Sequence, residues 1–148
     1  MLRKRLCKFS WDWVDKRPFD LLPLVIVMTL TIEVLMTINC LDEKKWIIVI
    51  IVITLANLAS LSALYIYIQG FGAEVGYTFK ECLDNIPTYN ICFIYLLMTV
   101  IIELPIVYGI LKSYTQNKTK LFKRIILANT ITTVLVFIIE RIFCSGSY

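Results

Sequence analysis

The sequence predicts an all-α integral membrane protein: four transmembrane helices built as two tandem-duplicated helical hairpins, with interfacial amphipathic helices before helices 1 and 3. Three observations lead there. Apolar residues make up 59% of the chain and its mean hydropathy is +0.77, whereas soluble domains hold about 45–50% apolar residues. The charged residues, 18% of the total, are crowded between four long apolar runs. The two halves of the chain also repeat one another.

Taken in order, residues 1–18 form a basic arm in which Leu2, Leu6, Phe9 and Trp13 recur at helical spacing, with Arg3, Lys4, Arg5 and Lys8 mostly off that stripe. Such an arm lies flat on the bilayer, with Trp11, Trp13, Arg3, Lys4 and Arg5 meeting the headgroups. A first transmembrane hairpin occupies residues 19–68. Its helix 1 (residues 21–41) carries one carboxylate, Glu33, and its helix 2 (residues 46–68) carries no charge. Each has the roughly 20 apolar residues that a crossing needs.

Residues 69–88 form a connector with Phe71, Val75, Phe79, Leu83 and Ile86 at spacings of 4, 4, 4 and 3, the stripe of a second interfacial helix. The second hairpin covers residues 89–143. Helix 3 (residues 89–111) again carries one carboxylate, Glu103, followed by Pro105, which removes an amide hydrogen bond and should kink the helix. Helix 4 (residues 125–143) is uncharged until Glu140 and Arg141, which are expected to reach the interface by snorkelling. Residues 144–148 are a short tail. The first apolar run begins at Leu21 and is too long for a signal-peptide core, so a cleavable signal is not expected.

Composition excludes much chemistry. Histidine is absent, which removes imidazole proton shuttles, helical zinc-protease sites and Ser-His or Cys-His nucleophiles. The five cysteines never form C-x-x-C and read as apolar packing residues. No metal and no cofactor is expected.

The repeat is the most informative feature. Asp15-Lys-Arg-Pro18 matches Asp84-Asn-Ile-Pro87 at an offset of 69, Met28 to Glu33 matches Met98 to Glu103 at 70, and Leu55-Ala-Asn57 matches Leu127-Ala-Asn129 at 72. Each unit crosses the membrane twice, so the copies share an orientation and are related by a pseudo-two-fold axis along the membrane normal. In a hairpin, residues equidistant from the turn share a depth. Glu33 is therefore level with Asn57, and Glu103 with Asn129. Thr29 and Thr37 extend a polar stripe around Glu33, Tyr95 and Thr99 do so for Glu103, and Thr54, Ser60, Thr132 and Thr133 flank the asparagines.

A carboxyl at that depth is costly unless it is neutral, hydrogen-bonded or facing water or a cation. Glu33, Glu103, Asn57, Asn129, Thr29 and Thr99 are accordingly the expected proton- or cation-binding set of a small, non-enzymatic transporter or channel-like protein. The competing reading is a membrane scaffold or accessory subunit, in which the same residues only hold helices together. An intramembrane enzyme ranks third, since histidine and any second close acid pair in sequence are missing. The expected partners are the lipid bilayer and either copies of the chain or a larger membrane complex. Nucleic acid is not expected. A cytoplasmic (inner) membrane fits the composition; the basic residues split eight against seven between the two sides, so the N-terminus is placed inside only because the first helix usually dominates.

Overall fold

The computed structural model describes residues 18–42, 45–71, 78 and 92–144. They form four long helices: α1 (Pro18–Ile38), α2 (Trp46–Phe71), α3 (Cys92–Leu111) and α4 (Lys118–Phe143), with a short 3-10 turn at Lys112–Tyr114. All four are long and apolar enough to cross a membrane. The basic arm, with Trp11, Trp13, Arg3, Lys4 and Arg5, lies outside the described residues, as does most of the second interfacial stripe.

The helix ends follow from local chemistry. Pro18 opens α1, where its missing amide hydrogen costs nothing, and Asp20 complements the positive end of the helix. Beyond Ile38 the chain tightens, with Cys40 N–H donating to Thr37 O at 2.9 Å and Leu41 N–H to Ile38 O at 3.2 Å. Asn117 caps α4 by accepting the Lys120 amide on Oδ1 at 2.9 Å. This cap starts α4 at Lys118, not near Ile125 as the hydropathy suggests; its first turns carry Lys120, Lys123 and Arg124, all exposed. Similarly, α2 continues through Phe71 into the segment assigned to the connector, and α3 runs on through Pro105, which is exposed.

Each helix packs on its two neighbours in the cyclic order α1, α2, α3, α4, so α1 and α3 stand on one diagonal and α2 and α4 on the other. The outer surface is apolar, with Ile47, Leu55, Leu58, Ile66, Phe93 and Leu127 exposed. In water such a surface would be untenable; against acyl chains it costs nothing.

The two hairpin turns meet on one face, here termed the turn face. Thr115 Oγ1 donates to Cys40 O at 2.8 Å, Gln116 N–H to Asp42 Oδ2 at 2.7 Å, and Asp42 N–H to Tyr114 O at 3.2 Å. Lys45 Nζ sits 4.7 Å from the Tyr114 ring centre, close enough for a cation–π contact. Behind these turns lies the main apolar core, including Ile38, Val49, Ile53, Val107, Leu111, Leu121 and Ile125. Tyr108 and Phe122 pack edge to face at its margin, with ring centres 5.7 Å apart.

Glu140 departs from expectation. It is 6% exposed and faces the interior, while its neighbour Arg141 is exposed. The reason is helical phase: successive residues are turned by about 100°. Glu140 continues the buried stripe of Asn129, Thr132, Thr133 and Val136, and Arg141 falls outside it. Of the cysteines, Cys40 and Cys144 are buried free thiols, which fits a packing role.

Candidate functional site

Halfway along the bundle the interior is polar. Glu33 on α1 and Glu103 on α3, diagonal partners in the ring of helices, are 5% and 2% exposed. Both line one small void of about 10 Å³ whose wall also includes Thr37, Ile53, Ala128 and Asn129. A space of that size sits at the lower limit for one water molecule. It has no room for a hydrated cation.

Donors reach the two carboxyls from both hairpins. Asn57 Nδ2 donates to Glu33 Oε2 at 2.6 Å, and Thr132 Oγ1 lies 3.3 Å from Glu33 Oε1. Ser60 Oγ donates to Glu103 Oε1 at 2.5 Å. Asn129 lines the void within hydrogen-bonding reach of Glu103, and its Nδ2 also donates to Ile125 O at 3.1 Å. Each glutamate is thus held by the asparagine of its own hairpin and by a hydroxyl from the other.

The hydroxyls have second acceptors. A hydroxyl owns one proton and two lone pairs. Ser60 Oγ is also 2.9 Å from Asn57 O, and Thr132 Oγ1 is 3.0 Å from Ala128 O and 3.1 Å from Asn129 O. When the carboxyl is ionised, the hydroxyl can point its proton at it. When the carboxyl carries a proton, the hydroxyl can turn to the backbone carbonyl and accept the carboxyl O–H. Both charge states therefore find partners without a change of packing.

No buried cation accompanies these acids among the described residues. Every described lysine and arginine is exposed, while Glu33 and Glu103 are buried. Of the remaining expected site residues, Thr99 is buried, but its hydroxyl donates to Leu96 O at 2.9 Å. Thr29 is half-buried and does not line the void. The glutamates and asparagines are brought together as the depth argument requires; the two threonines are not.

Three contributors are not assigned by the sequence. Ser60 and Thr132 are visible there only as polar neighbours of the asparagines, because which hairpin they serve depends on the order of the helices around the ring. They stand three residues after Asn57 and Asn129, and this common spacing is the signal that could have paired them. Thr37 lines the void one turn from Glu33. Comparison with protein-family models, with characterised proteins and with solved structures gives no match to this chain, which leaves the carboxyl pair as the guide to function.

Proposed function

We propose that this chain is a proton-handling membrane protein, transporter- or channel-like, in which Glu33 and Glu103 share a buried site that takes up and releases a proton. The observation that carries this is the double-acting hydroxyl on each carboxyl, able to serve its ionised and its neutral form. Two negative charges facing one narrow void repel each other and are poorly solvated, so a proton held between them relieves both costs. The small volume favours a proton over a hydrated cation.

The same contacts support a tandem duplication with a pseudo-two-fold axis along the bundle. Ser60 and Thr132 are related by the offset of 72 that relates Asn57 to Asn129, and each serves the glutamate of the other hairpin. Exchanging the hairpins exchanges the two sets of hydrogen bonds. On this reading one site has two equivalent halves.

The test is proton uptake by purified protein in lipid discs, compared with Glu33→Gln and Glu103→Gln. Gln keeps a hydrogen-bonding terminus but cannot titrate. We expect each single variant to displace the pH at which wild type takes up its proton, because one titratable carboxyl remains, and the variant carrying both changes to lose the uptake, all of them unfolding at nearly the wild-type temperature. Proton uptake unchanged in these variants would overturn the proposal. It would favour the scaffold reading, which the linkage of all four helices through the two carboxyls also supports.

A further inference from the structure

The interior is not the same above and below the carboxyl pair. Towards the turn face, beyond Thr37 beside the void and short of Thr115 in the turn, it is filled by buried aliphatic side chains from all four helices, among them Ile38, Val49, Leu111 and Leu121, each 0–1% exposed. Towards the opposite face, where α1 and α3 begin, the buried residues include Ser60, Thr99, Thr132, Thr133 and Glu140. Tyr95 lies among them, packed on Leu64 and within the field of Glu33, Glu103 and Glu140. Thr99 and Tyr95 follow Glu103 back along α3 at steps of four residues, and Thr132, Thr133 and Glu140 continue along the buried stripe of α4.

We infer that the carboxyl pair exchanges its proton with one side of the membrane only, the face where α1 and α3 begin, along a half-channel lined by Tyr95, Thr99, Thr132 and Thr133 with Glu140 as its outer proton acceptor. The inference rests on the reading of Glu33 and Glu103 as a proton site. Glu140 lies about 12 Å beyond Thr132 along the α4 axis at roughly 1.5 Å per residue, near the end of the span. Hydronium at that face gives its proton to the Glu140 carboxylate. The proton then passes through hydroxyl and water carriers, each accepting one and donating one, to a carboxylate of the pair. Glu140 is left ionised to accept the next.

The other half of the duplicated register offers no such path. The positions corresponding to Tyr95, Thr133 and Glu140 are Val25, Leu61 and Ile68. The polar route therefore belongs to α3 and α4 alone, although both halves contribute to the site. Among the described residues, the other titratable groups at this end of the bundle include Tyr65 and Tyr67 on α2, Asp20 in the first turn of α1, Arg141, which is exposed on α4, and the buried Cys144 that follows it.

The experiment follows the carboxyl band of the pair by infrared spectroscopy after a pH jump, on the full chain in lipid discs, with thermal unfolding measured in parallel. We expect Glu140→Gln and Thr133→Val to slow proton exchange at the pair by about tenfold or more while leaving its titration midpoint and the unfolding temperature near wild type, and Glu140→Asp to recover most of the rate. A residue that merely supports packing would move the unfolding temperature and not the rate. If the pair titrates, and the signal is lost when Glu33→Gln and Glu103→Gln are combined, but Glu140→Gln and Thr133→Val exchange at the wild-type rate, the half-channel is wrong and the site stands. If no carboxyl signal belongs to the pair, the site reading fails and the half-channel with it. Should Glu140→Gln not fold, the exchange rate of Thr133→Val, which keeps the shape of the side chain, decides the matter.

Discussion

Replacing Ala128 by Leu is expected to break the bundle at its waist, with a large fall in the thermal unfolding temperature in detergent. Ala128 is 1% exposed and lines the void between the carboxyls; Ala56 on α2, its counterpart at the offset of 72, is 0% exposed. Small residues at such points let helix backbones approach closely, and in a bilayer that approach is a main source of helix association. Three added carbon atoms exceed what a void of about 10 Å³ can take, so the helices must separate. Overpacking of this kind costs about 1–3 kcal/mol, and more where the backbone must move. Ala56→Leu should behave alike. Leu55→Ala, at an exposed position on the lipid side, should change the unfolding temperature little. Equal effects for the buried and exposed changes would show that the waist is not close-packed.

The second large effect is expected for Glu33→Leu. It strips the Asn57 amide of its carboxylate partner and leaves Nδ2 only the Ile53 carbonyl at 3.1 Å, at a cost of about 1–2 kcal/mol. Thr132 suffers less, because its hydroxyl keeps the carbonyls of Ala128 and Asn129. A double-mutant cycle with Asn57→Leu isolates the contact. The double variant should be less destabilised than the sum of the singles, because removing both polar partners leaves nothing stranded. An additive cycle, read from denaturation in mild detergent, would mean that the 2.6 Å contact contributes nothing to stability. Glu33→Gln, by contrast, should stay close to wild type, so comparing Gln with Leu separates the loss of a proton site from the loss of a hydrogen bond.

The four spans were legible because hydropathy reports how far an apolar run extends. It does not report where a helix ends. The α4 helix begins at Lys118 because Asn117 caps it, and that signal lies in a charged stretch which hydropathy discards. The Glu33 and Asn57 pairing was legible because hairpin depth is simple arithmetic on a helical rise. Ser60 and Thr132 were harder, since their partners are fixed by the order of the helices around the ring, a property of tertiary packing. Glu140 is a different case. The stripe Asn129, Thr132, Thr133, Val136, Glu140 could be read from spacing alone, but a charged pair near the end of a span invites a single snorkelling account for both members. Helical phase separates them.

The hydrogen bonds between the two turns carry a mechanical consequence. Thr115 is 6% exposed and joins the backbone at Cys40, and Asp42 is bonded twice to the neighbouring turn. The hairpins are therefore pinned to each other at this end through bonds that engage the backbone of both turns. Any splaying of the two hairpins must hinge about this end, like the arms of tweezers. Spin labels on the exposed Ile66 and Ile142 should accordingly show a broader spread of separations than labels on the exposed Ile47 and Phe122. Thr115→Val combined with Asp42→Ala removes both side-chain bonds of the pin and should broaden the second distribution towards the first.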